Sequence, residues 1–411
     1  MALNSAVESG GLRGLFQSCD FAALLRTRWM RWLVLLAVVG GVARLLVVAG
    51  TVVSRSRQPD FEDYYYGSQA RAAGLDPYQR SALDAVAGRQ VPGRFLYPPV
   101  TLWAFRPLTM LDLRSAKLLF FSLKCLALAA LLVIWIKHFN PLPEHAWLLA
   151  AVGLLGFGRP AELDLRTGNI STFEQLALWS AFLCYLRGRA WLGCGLVCAV
   201  ATFKLTPILL LAPWVVAGTR RDRVAAAVCG AAWAFLVFNP WTNPPELVGE
   251  FFRTAAAQDE RGAMNPSSLA MLRDCADALQ RLAGQPLPGL ATGLYLPYLI
   301  FVAGLAGLVW WRRELQPVEI VLLTVFVYAL CVPRFKNYSY VLMVVPALHV
   351  LGGGGLRNWA RLVLLALVCA HFYRYQQLST VFALYLIWIA WLWRSRASPA
   401  VAGPLPAPVP A

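Results

Sequence analysis

Long apolar segments recur along nearly the whole chain, and this recurrence constrains the fold more than any other feature. A helix needs about 20 mostly apolar residues to cross a bilayer. Of the 411 residues, 59% are hydrophobic and 14% are charged, whereas soluble domains carry about 25% charged residues. The sequence therefore predicts an all-α polytopic membrane protein with no room for a large soluble domain.

Hydropathy predicts about twelve transmembrane helices. Their approximate positions are 33–53, 115–136, 146–158, 170–186, 190–203, 205–219, 224–239, 291–311, 317–332, 338–352, 359–373 and 377–393. The N-terminal residues lack the small-residue cleavage site of a secretory signal, so the first apolar segment is predicted to be a retained span.

The distribution of basic residues predicts the orientation of these spans. The net charge is +16, and the Arg and Lys residues cluster in short connections between apolar segments, where they set topology and meet anionic lipid. With the N-terminus in the cytoplasm, alternation puts the basic connections on the inner side, as the positive-inside rule requires. This pattern argues against nucleic-acid binding.

The same orientation divides the chain into three parts. Residues 1–32 are predicted to be a cytoplasmic segment, 33–393 the transmembrane domain, and 394–411 a cytoplasmic tail rich in Pro and Ala. Two long polar loops, at about 54–114 and 240–290, fall outside. The first is rich in aromatic residues and Pro, which is typical of amphipathic helices that lie at the membrane interface.

The first polar loop begins with an acidic and aromatic cluster. Asp60 follows the first span closely and precedes Glu62, Asp63 and Tyr64. In a helix, Asp60 and Tyr64 would share one face. A carboxylate in this position can remove a proton from a hydroxyl as a general base. Asp60 also suits the N-cap of a helix, and the two roles are compatible.

Basic and amide side chains collect at the predicted outer ends of other spans. Arg166, Lys204, Arg334 and Lys336 are candidates for binding a phosphate, which Arg contacts through a planar fork and Lys through a point charge. Each could instead extend toward lipid headgroups. Amides such as Asn169 and Asn265 hydrogen-bond sugar hydroxyls well, and they also cap helices and fill turns.

The sequence offers no pattern for a metal or a cofactor. No pair of His residues has metal-ligand spacing, and no nucleotide-binding fingerprint is present. The nine cysteines mostly lie in apolar segments and form no C-x-x-C pair, so they are expected to be packing residues. We expect neither a bound metal, nor a cofactor, nor a disulfide framework.

Five short motifs occur in order through the first half of the chain. They are Asp60-Phe-Glu-Asp-Tyr64, Gly74-Leu-Asp-Pro-Tyr78, Tyr97-Pro-Pro99, Gly168-Asn-Ile-Ser-Thr172 and Lys204-Leu-Thr-Pro207. In these motifs the sequence resembles glycosyltransferase family 87, membrane enzymes of the GT-C superfamily that include mycobacterial polyprenyl-phosphate-mannose-dependent mannosyltransferases. The second half resembles the family by its hydropathy, by Asn265-Pro-Ser-Ser268 and by the stretch 334–340. Family members often carry a His in this late loop, where the chain has Asn337-Tyr-Ser-Tyr340.

The resemblance implies a GT-C-like bundle of about twelve transmembrane helices whose active site faces outward from a bacterial cell membrane. It implies inverting transfer of a sugar, with mannose favoured, from a polyprenyl-phosphate donor to a glycolipid or cell-envelope glycan. The implied general base is Asp60. For such a reaction we expect Lys204, Arg334, Lys336 and Arg166 to bind the donor phosphate, and Tyr64, Tyr97, Asn169 and Asn265 to contact the substrate.

Two other functions remain open at the level of sequence. A lipid-linked-sugar flippase or other secondary transporter would also need many spans and cationic cavities, and would be expected to show internal repeats and midplane charges. No repeat is evident, but Arg44 and Lys124 lie within apolar segments. An envelope polymer ligase with the same architecture is the second alternative, and it would not use a monosaccharide lipid donor.

Overall fold

The computed structural model describes residues 28–55, 58–141, 149, 152–352, 356, 358–369 and 374–394. Every regular element in these ranges is a helix, which confirms the all-α prediction for the described part of the chain. The predicted cytoplasmic segment 1–32 and tail 394–411 lie almost wholly outside these ranges.

Sixteen α-helices follow one another in the described residues. They are α1 (Arg28–Arg55), α2 (Pro59–Ala72), α3 (Arg80–Ala87), α4 (Thr101–Phe105), α5 (Leu113–Ile134), α6 (Gly158–Thr167), α7 (Ser171–Leu186), α8 (Ala190–Phe203), α9 (Arg220–Phe238), α10 (Pro245–Ala256), α11 (Ser268–Ala283), α12 (Leu290–Arg312), α13 (Pro317–Cys331), α14 (Val344–Gly352), α15 (Asn358–Cys369) and α16 (Gln376–Arg394). Short 3₁₀ turns occur at Arg106–Met110, Thr206–Leu211, Gly262–Met264 and Asn337–Met343, and π-helical turns at Trp135–Phe139, Val152–Gly156 and Pro213–Ala217.

Four helical stretches in the described part of the chain are long and apolar enough to cross a membrane. They are Val38–Ala72, Leu113–Phe139, Leu290–Arg312 and Gln376–Arg394. Five shorter apolar helices accompany them, at Ala190–Phe203, Thr206–Ala217, Pro317–Cys331, Asn337–Gly352 and Ala360–Cys369. These helices support a multi-pass membrane protein, but the predicted count of about twelve spans is not confirmed in the described residues.

Proline explains part of this difference in span count. The apolar segment that follows α8 contains Pro207, the second residue of the 3₁₀ turn Thr206–Leu211, and Pro213, the first residue of the π-helical turn Pro213–Ala217. Proline removes a backbone donor and clashes with the preceding helical turn, so it breaks a regular α-helix. Hydropathy alone therefore overestimates the length of regular helix in this segment.

The main core is formed by side chains of α7, α8, α13, α14 and α16. Trp179, Phe182 and Phe326 are fully buried within it. Helix α7 packs against both α5 and α8, and α8 packs against α9. Because lipid tails are as apolar as these side chains, close packing, and not removal from water, holds such helices together.

The first polar loop folds onto the bundle through an aromatic cluster. Helices α2, α3 and α4 belong to this loop, and α2 contributes the buried Phe61 and Tyr64. Tyr64 stacks on Phe105 with ring centroids 4.4 Å apart, and Phe61 contacts Phe120 of α5 at 4.8 Å. This cluster fixes the start of α2 relative to a membrane-spanning helix.

The second polar loop is anchored by an ion-pair network beside α11. Arg261 contacts the carboxylates of Asp259, Asp274 and Asp277. Tyr375 donates a hydrogen bond of 2.7 Å to Asp274 and accepts one of 3.1 Å from the Gly262 backbone. The network holds residues 259–262 in place, and Glu260 belongs to this segment.

Candidate active site

A cavity of about 750 Å³ lies next to the start of α2. Its charged lining residues are the cations Arg80, Arg94, Lys204, Arg334 and Lys336 and the acids Asp60, Asp63 and Glu260. Among the described residues, five cations against three acids leave an excess of positive charge in the lining. A cleft with such an excess attracts an anionic ligand.

Asp60 lies in the first turn of α2 and lines the cavity. Gln58 takes the N-cap position and Pro59 the first helical position, where proline is well tolerated. Asn169 donates a 2.7 Å hydrogen bond to Asp60 Oδ2 and a 3.0 Å bond to the Tyr97 hydroxyl. Tyr64 in turn donates to the Tyr97 hydroxyl at 2.7 Å, so one chain of hydrogen bonds orients the carboxylate.

The turn that carries Asn169 depends on Gly168. This residue ends α6 with φ +69°, a left-handed conformation that favours glycine. A Cβ at this position would lie 2.8 Å from the Phe61 Cβ and 2.9 Å from the Gln58 Cβ. Glycine thus allows the turn to approach α2 closely enough for Asn169 to reach Asp60.

Two cations within apolar helices hold α6 in place. Lys124 of α5 is fully buried, with its Nζ 2.9 Å from Asp164 Oδ2. The same Nζ donates to the backbone oxygens of Asp164 at 2.6 Å and Asn169 at 2.5 Å. Arg44 of α1 forms an ion pair with Glu162. Each cation therefore has a partner on the helix that leads to the Asn169 turn.

Lys204 is connected to the same turn. It follows the end of α8 in an extended conformation, and its Nζ donates to Glu174 Oε2 at 2.6 Å and to Ser171 Oγ at 3.0 Å. Ser171 Oγ donates to Asn169 Oδ1 at 2.9 Å. The Lys204 ammonium is thereby linked to Asp60 through Ser171 and Asn169.

Glu260 joins two cations of the cavity. Its carboxylate lies 2.9 Å from both Arg334 and Lys336. Burial raises the pKa of Glu260, but Lys336 and Arg334 outweigh that effect and leave the pKa below its ordinary value. Burial lowers the pKa of Lys336, and the carboxylate of Glu260 opposes this shift. Burial raises the pKa of Asp60, and the positive charge of Lys336 opposes this shift.

A model of glycosyltransferase family 87 matches residues 95–333, more than half of the chain. The chain belongs to glycosyltransferase family 87. No curated protein and no solved structure matches it. The family match makes the protein a glycosyltransferase, and it includes Tyr97, Asn169, Lys204 and Glu260. It begins after Asp60 and ends before Arg334.

The cavity of this family 87 glycosyltransferase brings together several residues singled out in the sequence. Asp60, Tyr97, Lys204, Arg334 and Lys336 line it. Tyr64 and Asn169 are fully buried one hydrogen bond behind that lining. The first half of the chain and the late loop therefore meet at one site.

Two of the sequence candidates occupy other positions. Asn265 is buried and donates a 3.0 Å hydrogen bond to the Glu260 backbone oxygen, so it supports the segment that carries Glu260. Arg166 is 61% exposed and lies 3.7 Å from Glu162 on the same helix. Arg166 does not line the cavity. In the neighbouring turn, Asn169 reaches the cavity residue Asp60 through a hydrogen bond.

Other residues of this glycosyltransferase site were not singled out as ligands from the sequence. Glu260, Tyr338, Arg80 and Arg94 all line the cavity. Glu260 lies in a dense run of charged residues, Asp259-Glu-Arg261, and that run is the only local signal for it. Tyr338 lies in the stretch 334–340 that carries the resemblance, whereas Arg80 and Arg94 have no such signal in the sequence and are brought to the cavity by the fold.

The acidic residues next to Asp60 differ in their surroundings. Glu62 pairs with Lys117 at 2.6 Å and with Arg89 at 2.5 Å, and it does not line the cavity. Asp63 does line the cavity, but the Gly93 backbone lies directly against its carboxylate. A Cβ added to Gly93 would lie 2.1 Å from Asp63 Oδ2. Asp60 is the least covered of the three acids.

Proposed function

We propose that this family 87 glycosyltransferase transfers a sugar, mannose in the first instance, from a polyprenyl-phosphate donor to a glycolipid or cell-envelope glycan. The reaction takes place on the outer face of a bacterial cell membrane and inverts the anomeric carbon. One observation carries the proposal: the carboxylate of Asp60 shares a cavity with an excess of cations.

The cations suit the phosphate of the donor. When the bond between the anomeric carbon and the phosphate breaks, negative charge grows on the phosphate oxygens. Lysine and arginine contacts to those oxygens strengthen in the transition state and so accelerate the reaction. Lys204, Arg334 and Lys336 are the proposed donors of these contacts.

Asp60 is the proposed general base. The acceptor hydroxyl attacks the anomeric carbon from the side opposite the phosphate, and Asp60 takes the hydroxyl proton. Burial raises the pKa of the Asp60 carboxyl above its ordinary value, and the hydrogen bond from Asn169 opposes this shift and fixes the orientation of the carboxylate. The Gly93 backbone limits access to Asp63, which favours Asp60 for this role.

The apolar part of the cavity suits a lipid chain. Phe203, Leu205, Phe251 and Phe252 line it, and Phe252 is 46% exposed. Phe252 stacks on the exposed Phe238 at 6.4 Å. The two stacked rings extend the apolar lining of the cavity to the exposed surface of the helices. This apolar path supports a lipid-linked donor over a water-soluble nucleotide sugar.

The proposal is tested with purified protein, a panel of radiolabelled polyprenyl-phosphate sugars and a lipid extract as acceptor. The unsubstituted protein should transfer at least one of the sugars. Asp60→Asn should reduce the transfer rate by about 10²–10⁴-fold, the usual contribution of a general base, and should still bind polyprenyl phosphate.

The matched control is Asp76→Asn. Asp76 accepts hydrogen bonds from the Tyr78 backbone and Gln79 in the same loop, outside the cavity lining, so transfer should continue. Unchanged transfer by Asp60→Asn would refute the general-base role. Transfer from a nucleotide sugar, with none from the polyprenyl-phosphate panel, would refute the donor class.

A further inference from the structure

The ring of Tyr338 contacts two ammonium groups in the cavity wall. Lys204 Nζ lies 5.1 Å from the ring centroid, and Lys336 Nζ lies 5.8 Å from it. Tyr338 lines the cavity and is only 4% exposed. The two lysines come from distant parts of the chain, and this ring is a surface that both of them share.

Electrostatic attraction favours the position of the two ammonium groups beside the ring of Tyr338. An aromatic ring attracts a cation through the negative potential of its face, and the attraction increases when both groups are shielded from water. Both ammonium groups carry the same charge, so an anion in the cavity interacts favourably with each of them. Each lysine also has its own carboxylate, Glu174 for Lys204 and Glu260 for Lys336. A phosphate offers several oxygens, and it can therefore accept contacts from both ammonium groups.

We infer that Tyr338 is a positioning residue for the donor phosphate, because its ring holds Lys204 and Lys336 together as one cation pair. The inference rests on the proposed function and names a further residue of the same site. The ring, and not the phenolic hydroxyl, performs this role. An aliphatic side chain of similar volume fills the space but does not attract the cations.

The experiment measures binding of polyprenyl phosphate, without sugar, to the detergent-solubilised full-length protein. Tyr338→Phe keeps the ring and should leave Kd within about twofold of the unsubstituted value, whereas Tyr338→Leu should raise Kd about tenfold. In the transfer assay, Tyr338→Leu should raise the donor KM more than it lowers kcat, with the acceptor KM unchanged.

A shape-conserving series tests the ring without a cavity. Mono-, di- and trifluorinated phenylalanine at position 338 progressively weaken the negative face of the ring at nearly constant volume. Affinity for polyprenyl phosphate should fall stepwise along this series. A constant affinity across the series would overturn the inference, whether or not Tyr338→Leu folds.

The matched control is Phe335→Leu. Phe335 is a buried ring of the same segment that contacts Tyr328 and Tyr340 and does not line the cavity. This variant should keep its affinity for polyprenyl phosphate, and an equal tenfold loss would point to packing alone and overturn the inference.

A double-mutant cycle then links the ring to a lysine. If the ring acts through Lys336, the combined Tyr338→Leu and Lys336→Gln variant should lose less affinity than the sum of the single losses. Strict additivity would count against the inference. Absence of polyprenyl phosphate binding by the unsubstituted protein would instead refute the proposed function, and the role of Tyr338 with it.

Discussion

At the scale of single residues, the affinity of the cavity for a phosphate depends on the acids that its cations already contact. Arg334 and Lys336 both contact Glu260, so the carboxylate competes with any phosphate for the same donors. Buried charges need partners, and Glu260 supplies one in the absence of a ligand. The same pair of contacts keeps the pKa of Glu260 below its ordinary value against the effect of burial.

Replacing Glu260 with Gln should strengthen phosphate binding. The substitution removes the competing negative charge while an amide oxygen can still accept a hydrogen bond. Affinity for polyprenyl phosphate, measured by titration, should increase roughly three- to tenfold. Glu250→Gln, which removes an exposed ion pair with Arg253 in the same loop, is the control. Weaker binding by Glu260→Gln would mean that the acid is needed to orient the cations.

The pKa of Lys336 predicts how binding depends on pH. Burial lowers this pKa below 10.5, so the ammonium loses its proton at a lower pH than an exposed lysine does. A phosphate monoester has its second pKa at about 6, and its charge is constant above neutrality. Affinity for polyprenyl phosphate should therefore fall as the pH rises through the lowered pKa of Lys336.

Lys336→Arg is the variant that tests this pH dependence, because arginine stays charged at the alkaline pH values where the lysine loses its proton. Its affinity should show a smaller decline at alkaline pH when both proteins are titrated in the same buffers. An identical pH profile for the two proteins would assign the decline to another group.

At the scale of elements, helix α6 supports the site because it leads to the turn that carries Asn169. It carries Glu162 and Asp164, which meet Arg44 of α1 and Lys124 of α5, and it ends at the Gly168 turn. The threonine hydroxyl of Thr172 donates to Asp164 as well. Charged residues inside membrane helices often mark a functional pathway. Here Arg44 and Lys124 each pair with a carboxylate of α6 and so connect this helix to α1 and α5.

Replacing Lys124 with Met should destabilise the protein strongly. It leaves the buried carboxylate of Asp164 without its cation, a change that costs about 3–5 kcal/mol in buried pairs. The unfolding temperature in detergent should fall, and transfer should fall with it because Asn169 loses a backbone contact. The control is Lys137→Met, at an exposed position just beyond the same helix. It should change neither the unfolding temperature nor the transfer rate. Normal stability of Lys124→Met would show that α6 is held by packing alone.

At the scale of the whole molecule, the cavity collects segments that are far apart in sequence. Asp60 comes from the first polar loop, Lys204 from the end of α8, Glu260 from the second polar loop, and Lys336 from the late loop. The positive-inside pattern predicts that all of these lie on the outer side. That orientation is a property of the whole bundle and can be tested without altering the cavity.

Cys275 of α11 reports the orientation, because it is exposed in the second polar loop. A membrane-impermeant thiol reagent should label it in intact cells, and Cys275→Ser should remove that signal. In the Cys275→Ser protein, Arg221→Cys introduces a thiol in a connection predicted to be cytoplasmic, which should react only after permeabilisation. The opposite pattern would place the cavity toward the cytoplasm and contradict an outer-face reaction.

The sequence alone determined the helical membrane class and, through its ordered motifs, the family. Both are encoded locally, because a bilayer demands long apolar segments and a motif is a run of neighbouring residues. The match to residues 95–333 confirms the family. The number of spans was less predictable, since prolines such as Pro207 shorten regular helices inside apolar segments.

Only the tertiary structure decided which polar residues meet. It paired Lys124 with Asp164, joined Glu260 to Lys336, put two lysines on the ring of Tyr338, and kept Arg166 outside the cavity. Such contacts join residues from separate helices and loops, and no local sequence pattern predicts them. The physical reason is that a buried charge is stable only beside its partner, and the packing of the whole bundle determines where that partner lies.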